Sequence, residues 1–264
     1  MIGGIFFLPL NEFMYFIGAI VALGAWEWAN LSGLTKPVAR AAYVGFVVVA
    51  LVAIAQLDAA QATWLLWVAL AWWVLAFVLV RSYPKFKPLW SGVLPRALIG
   101  LVILLPMWVG FVQIKAYPDS GQFIMYVMLL VWGADVGAYF AGRKFGKHKL
   151  AKNVSPGKTW EGLLGGMILT AAVAYVLSIW TKDNNGTLVH FLNMSPTKAI
   201  LWGLGVAFFG TLGDLFESHL KREAGVKDSG QVLPGHGGIL DRFDAFLFAG
   251  LYTQIIFQGP LAIF

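Results

Sequence analysis

Residues 97–115 read ALIGLVILLPMWVGFVQIK, a run with no charged side chain before the final Lys115. A helix rises about 1.5 Å per residue, so roughly 20 apolar residues are enough to cross the hydrocarbon core of a bilayer. Inside that core each backbone polar group needs a hydrogen-bond partner within the protein, and a helix provides one. The stretch therefore predicts a membrane-spanning helix.

Similar apolar runs recur along the whole chain. Of its 264 residues, 59% are hydrophobic and 12% are charged, and the mean hydropathy is +0.75, which excludes an ordinary soluble domain. We predict an all-α, polytopic integral-membrane helix bundle with about eight full spans and a short apolar N-terminal segment, residues 1–11. The spans are predicted near residues 13–31, 41–57, 62–80, 97–115, 122–142, 162–180, 198–216 and 243–264.

The chain shows no internal repeat and no separate soluble region, so we predict a single integral-membrane domain over residues 1–264. The absence of cysteine excludes disulfides and thiolate metal sites. The N-terminal half consists mainly of spans. The C-terminal half has two polar loops, 143–161 and 217–242, where we expect the chemistry.

The basic residues gather on one side of the predicted membrane. If loops alternate sides, all of the 19 Lys and Arg residues except Lys115, Lys182 and Lys198 lie on the same side. The positive-inside rule makes that side cytoplasmic, and its charge can attract anionic headgroups and substrates. A nucleic-acid partner is not expected, because the cations lie in short loops at a membrane.

The first polar loop contains Gly157-Lys158-Thr159, which resembles the end of a phosphate-binding P-loop. The first glycine of that motif would fall at Lys152, and no strand is predicted before it, so we reject a P-loop. Ser155, Lys158 and Thr159 lie where a helix is predicted to begin, and helix N-termini attract phosphate. Ser155 or Thr159 could equally be only an N-cap, with Glu161 in the first turn.

The second polar loop is flanked by acidic residues at two helix ends. Asp214 shares a helical face with Glu217 and Ser218, and Asp241 shares the first turn of the last span with Asp244. Carboxylates of this kind suit Mg²⁺, which leaves ligand positions for substrate phosphates. Cations could neutralise those phosphates and glycine amides could cradle an oxyanion. The alternative is a set of surface ion pairs. The dense grouping of charged residues at a membrane boundary argues against that alternative.

Asp135 lies inside the predicted span 122–142, and a carboxylate inside a membrane is a site candidate by default. Tyr139, four residues later, would line the same cavity. A structural hydrogen bond to a neighbouring helix is the alternative. Glu27 is a weaker candidate, which we expect near lipid headgroups because tryptophans flank it.

Three histidines accompany these loops. His236 lies between glycines, and no Cys/His cluster accompanies it, so substrate contact is favoured over zinc binding. We expect His148 and His219 to be solvated or interfacial.

The second block resembles the signature of the phosphatidate cytidylyltransferases, also called CDP-diacylglycerol synthases. The matching segments are Ser218-His219-Leu220-Lys221-Arg222, Lys227-Asp228-Ser229-Gly230, Pro234-Gly235-His236-Gly237-Gly238 and Asp241-Arg242-Phe243-Asp244. Upstream, residues 132–135, 145–151 and 154–162 resemble the bacterial branch. These motifs cover about the C-terminal half of the chain.

The resemblance implies that CTP and phosphatidate give CDP-diacylglycerol and pyrophosphate. It also implies Mg²⁺, alone or with a second cation, and a homodimer among membrane lipids in the inner (cytoplasmic) membrane, with its active site facing the cytoplasm. The catalytic residues would be Asp214, Lys221, Arg222, Asp241 and Asp244, with the metal at Asp214, Asp241 and Asp244. The substrate-binding residues would be Asp135, Ser155, Lys158, Thr159, Ser218, Lys227, Asp228, His236, Gly237, Gly238 and Arg242.

Two other functions stay open at this point. A CTP-dependent lipid or polyprenol kinase, or a cytidylyltransferase for another lipid phosphate, would need the same cations and nucleotide. A proton-coupled transporter could use Asp135 and Asp214 as a relay. The polar block lies at one membrane face rather than the midplane, which argues against a transporter.

Overall fold

The computed structural model describes residues 2–82, 90–117, 120–152, 154–183, 195–230, 237–241 and 252–253. Within them the chain is mainly helical, as predicted, with one small hairpin. The helices are α1 (Ile2–Phe7), α2 (Leu10–Leu31), α3 (Pro37–Ala55), α4 (Ala59–Ala62), α5 (Trp64–Arg81), α6 (Val93–Lys115), α7 (Ser120–Phe145), α8 (Trp160–Asp183) and α9 (Pro196–Glu223). The hairpin pairs β1 (Lys149–Ala151) with β2 (Ser155–Thr159) in antiparallel fashion.

Among these residues, six helices are long and apolar enough to cross a membrane: α2, α3, α6, α7, α8 and α9. Helix α5 adds a shorter apolar stretch, Trp64–Val80. Together they match the first seven predicted spans, which confirms a multi-pass helix bundle. The eighth predicted span, 243–264, lies outside the described residues apart from Tyr252 and Thr253.

Helix α9 is longer than its hydropathy predicts. It continues to Glu223, well past the predicted end at residue 216, so the first polar residues of the second loop are helical. The extra turns have polar side chains that are packed inside the protein: Lys221 Nζ pairs with Glu217 at 3.2 Å, one turn apart, and His219 is buried. A hydropathy scan ends a span at such residues, although the backbone stays helical.

Helices α2 and α9 end in the same way. After α2, the Gly33 amide donates to the Asn30 carbonyl and the Leu34 amide donates to the Ala29 carbonyl. After α9, the corresponding bonds run from Gly225 to Arg222 and from Val226 to Lys221. Both glycines have positive φ, 96° and 72°, as this helix-ending motif requires. These stops fix where the loop that follows α9 begins.

Helices α7 and α8 pack very closely because glycines line their contact. A β-carbon at Gly137 would lie 2.5 Å from the Gly165 carbonyl oxygen, and one at Gly166 would lie 2.7 Å from the Ala134 carbonyl oxygen. Small residues four apart let backbones of membrane helices approach in this manner. The hairpin joins α7 to α8, and α9 packs on α8, so three helix segments meet beside the hairpin.

Candidate functional site

A cavity of about 260 Å³ opens where α7, α8, α9 and the hairpin meet. Its charged side chains are Asp135 from α7, Lys158 from β2 and Asp214 from α9. The other lining residues are Ala134, Ala138, Tyr139, Gly142, Leu150, Gly157, Thr159, Gly162, Leu163, Gly210 and Thr211. The structure thus brings four predicted site residues together: Asp135, Lys158, Thr159 and Asp214. Tyr139 lines the same cavity, as expected.

Lys158 and Asp214 form a direct ion pair across this cavity, from Nζ to a carboxylate oxygen. The Ser218 hydroxyl donates to the other oxygen of Asp214 at 3.3 Å, which confirms that the two share a helical face. Lys158 and Asp214 both keep part of their side chains exposed, 26% and 34%. The pair is therefore accessible to an anion that could take the place of Asp214 beside the ammonium group.

Thr159 acts as a helix cap, as one of the two sequence interpretations has it. Its hydroxyl oxygen accepts a hydrogen bond from the Gly162 amide at 3.1 Å, at the start of α8. Glu161 accepts the Lys147 and His148 amides, and it contacts His148 Nδ1 at 2.6 Å. These contacts tie the hairpin to α8 and so fix Lys158, which lies between them. His148 is exposed, as predicted.

Asp241 lies in a second polar cluster and is not among the residues that line the cavity. Its Oδ1 contacts Lys221 Nζ at 2.6 Å, and its Oδ2 accepts the amides of Ser229 and Gly238 at 2.9 and 2.8 Å. Burial by itself would raise the pKa of Asp241, but the hydrogen bonds from Lys221 and the two amides outweigh it and lower the pKa to about 2. Asp241 is therefore ionised at neutral pH.

Glu27 of α2, which we expected near lipid headgroups, belongs to this second cluster and packs inside the protein. It is only 1% exposed. Its carboxylate accepts the Ile239 and Leu240 amides, both at 2.9 Å, and the Ser229 hydroxyl at 3.0 Å. The flanking tryptophans did not predict these partners, because they do not reveal which face of α2 packs against the protein.

His219 is also buried, at 2% exposure, and its ring lies 4.2 Å from that of Trp90. Of the two predicted surroundings, solvated or interfacial, this burial contradicts the first, since α9 continues through His219 as a packed helix.

The remaining predicted site residues lie at different places. Ser155 begins β2, whereas Arg222, Lys227 and Asp228 are exposed at the end of α9 and in the loop after it. Gly237 has a φ of 80°, and a β-carbon there would lie 2.9 Å from Asp241 Oδ2, so only glycine fits. His236, Arg242 and Asp244 lie outside the described residues.

This architecture defines a class, that of a polytopic membrane protein with a charged cavity between its helices. The chain matches the cytidylyltransferase family over residues 1–259, and it belongs to that family.

Three similar proteins have the same name. The phosphatidate cytidylyltransferase of Pseudomonas aeruginosa is 46% identical over 248 residues, which cover 94% of this chain and 88% of that protein. The phosphatidate cytidylyltransferase of Haemophilus influenzae is 41% identical over 250 residues, covering 88% and 85%. That of Bacillus subtilis is 41% identical over 156 residues, covering 57% and 55%.

Proposed function

We propose that this enzyme transfers the cytidylyl group of CTP to phosphatidate and releases pyrophosphate, making CDP-diacylglycerol for phospholipid synthesis. The observation that carries the proposal is the charged cavity of Asp135, Lys158 and Asp214. It occurs in a chain that is 46% identical, over 94% of its length, to a protein named phosphatidate cytidylyltransferase.

The reaction requires little acid–base chemistry. A phosphatidate oxygen attacks the α-phosphorus of CTP, and a new P–O bond forms. The bond from that phosphorus to the oxygen bridging the α- and β-phosphates breaks, and pyrophosphate leaves. A phosphate monoester is largely ionised near neutral pH, because its second pKa is about 6, so no strong base is needed. The barrier comes from bringing two anions together and from charge on the leaving group.

The side chains of the cavity suit that task. Lys158 would turn from Asp214 to a phosphate of CTP, because both are anionic ligands for the same ammonium group. The Tyr139 and Thr211 hydroxyls and the glycine backbone of Gly157 line the same space and could hydrogen-bond the nucleotide or the headgroup. Arg222 and Lys227 follow Asp214 in the sequence and are exposed, so they would attract the phosphatidate headgroup.

Mg²⁺ fits the carboxylates of the cavity. Proteins usually hold this ion through one or two carboxylates together with substrate phosphates, and Asp135 and Asp214 both line the cavity. Among the described residues no three acidic, His or Cys side chains could hold a metal by themselves, so phosphates would complete the shell. When bound, the ion would offset the charge of the triphosphate. The metal roles of Asp241 and Asp244 stay predictions.

The proposal includes the orientation of the protein in the inner membrane, with the cavity facing the cytoplasm. Five cations beside the cavity support this orientation, because they are exposed at the end of α7 and in the hairpin: Arg143, Lys144, Lys147, Lys149 and Lys152. A homodimer is also proposed, on the family resemblance.

Cytidine transfer into lipid tests the proposed function. Vesicles containing the purified protein would receive CTP labelled in its cytosine ring, phosphatidate and Mg²⁺. We expect label in the organic phase that requires phosphatidate and disappears with a chelator. No label from folded, correctly inserted protein would contradict the proposal.

Lys158→Ala is expected to raise the Michaelis constant for CTP and to lower kcat/KM by roughly 10- to 100-fold, because a phosphate would lose its cationic partner. Steady-state kinetics with varied CTP at saturating phosphatidate measures the effect. Lys152→Ala is the matched control, since Lys152 is exposed on the same hairpin. Unchanged constants in Lys158→Ala would mean that Lys158 has only a structural role.

A further inference from the structure

The buried carboxylate of Glu27 has no part in the chemistry proposed so far. It lies within a membrane-spanning helix, and a carboxylate in such surroundings is costly unless it is fully hydrogen-bonded. All three of its described donors come from a segment more than 200 residues later, Ser229 and Ile239 to Leu240. Glu27 therefore joins the N-terminal half of the bundle to the segment that precedes Asp241.

The hydrogen bonds to Glu27 give partners to backbone amides at the start of a helix. Leu240 and Asp241 are helical, and the first amides of any helix lack partners within the helix. The Asp241 carboxylate accepts the Gly238 amide, three residues earlier, and so satisfies one donor beside the helix start. Glu27, from another helix, accepts the next two amides, those of Ile239 and Leu240.

The surrounding residues are fitted to this contact. A β-carbon at Gly24, one turn before Glu27, would lie 3.2 Å from a methyl carbon of Leu240. A β-carbon at Gly230 or Gly238 would overlap the Glu27 carboxylate. The segment can therefore approach α2 closely only because these positions are glycine, and Glu27 meets two backbone amides and the Ser229 hydroxyl.

The contact extends to Asp241 through Ser229. The Ser229 hydroxyl lies 3.0 Å from Glu27 Oε2 and 2.9 Å from Asp241 Oδ2. Lys221 holds the other oxygen of Asp241 at 2.6 Å. A shift of the segment away from Glu27 would hence move Ser229 and Gly238, and with them two of the donors that orient Asp241.

We infer that Glu27 is a positioning residue of the reaction. From its place in α2 it caps the helix that begins at Leu240, and in this way it fixes Asp241 and the glycine amides before it. This inference rests on the proposed function and on the prediction from the sequence that Asp241 belongs to the catalytic machinery. Glu27 itself touches neither substrate in the proposal.

Three variants test the inference: Glu27→Gln, Glu27→Leu and, as a matched control, Glu12→Gln, which changes an exposed residue of the same helix. Glutamine keeps one acceptor oxygen and leucine keeps none. We expect kcat at saturating CTP and phosphatidate to fall about tenfold in Glu27→Gln and about 100-fold or more in Glu27→Leu, with the control unchanged. Trypsin cleavage after the exposed Lys227 should accelerate in the same order.

A merely space-filling role predicts the opposite order. If Glu27 only filled space, no backbone amide would depend on its oxygens, and leucine, an apolar side chain of similar size, would equal or exceed glutamine in kcat and in trypsin resistance. That result would overturn the inference. If the wild type itself transfers no cytidine, the proposed function fails, whereas the trypsin rates still decide whether Glu27 anchors the segment.

Discussion

Replacing Asp214 by asparagine is expected to lower kcat by at least about 100-fold, because the cavity loses a charge that pairs with Lys158 and is proposed to hold Mg²⁺. Asparagine keeps the shape of the side chain, so insertion and folding should persist. The measurement is cytidine transfer at saturating substrates, with protein amount and dispersity checked in detergent by gel filtration.

The matched control for this change is Asp58→Asn, which alters an exposed carboxylate in the turn between α3 and α4. It should keep the activity of the wild type. An Asp214→Asn protein that turns over as fast as this control would contradict the role assigned to the cavity.

The Gly137→Ala substitution is expected to have the second large effect, through packing. The added methyl would lie 2.5 Å from the Gly165 carbonyl oxygen and 2.9 Å from the Leu169 β-carbon, so α7 and α8 must separate. Overpacking of this kind costs roughly 1–3 kcal/mol. Asp135 and Lys158 would move apart with the helices, and activity should fall together with the temperature at which the protein loses dispersity in detergent.

Gly45→Ala is the matched control, since Gly45 also lies within a spanning helix but has no atom within 4 Å of an added β-carbon. Alanine has the higher helix propensity, so this change should be neutral or slightly stabilising. Equal unfolding temperatures for the two variants would contradict the close packing of α7 on α8.

The spans could be predicted from the sequence because charge-free runs of sufficient length have few alternatives in a membrane. The end of α9 could not, since hydropathy falls at Glu217 and Lys221 while their ion pair and the burial of His219 keep the helix intact. The glycines of α7 and α8 had a usable signal: Gly133 with Gly137, and Gly162 with Gly166, are spaced by four residues, as close-packed membrane helices often have them.

The charged residues that line the cavity could each be predicted as site candidates. Asp135 and Asp214 stood out as carboxylates within spans, and Lys158 stood out beside a predicted helix start. Their meeting in one cavity depends on how three helices pack, and no local pattern encodes that. Lys158 lies on a strand, whereas the sequence placed it at a helix start.

Glu27 shows more clearly which contacts cannot be predicted from the sequence. Its partners lie more than 200 residues away, and they are mainly backbone amides, which leave no mark on the sequence. The adjacent tryptophans suggested an interfacial position, although Trp28 is buried and donates its indole N–H to the Arg96 carbonyl at 2.8 Å. Only the tertiary structure shows that this face of α2 receives the C-terminal segment.

The most direct measurement compares two labels in one assay. The protein in vesicles with phosphatidate and Mg²⁺ would receive CTP labelled at the α-phosphate in one sample and at the γ-phosphate in the other. Cytidylyl transfer predicts that the α-label enters the lipid and the γ-label leaves as pyrophosphate. Label from the γ-phosphate in the lipid, with none from the α-phosphate, would show a lipid kinase and contradict the function proposed here.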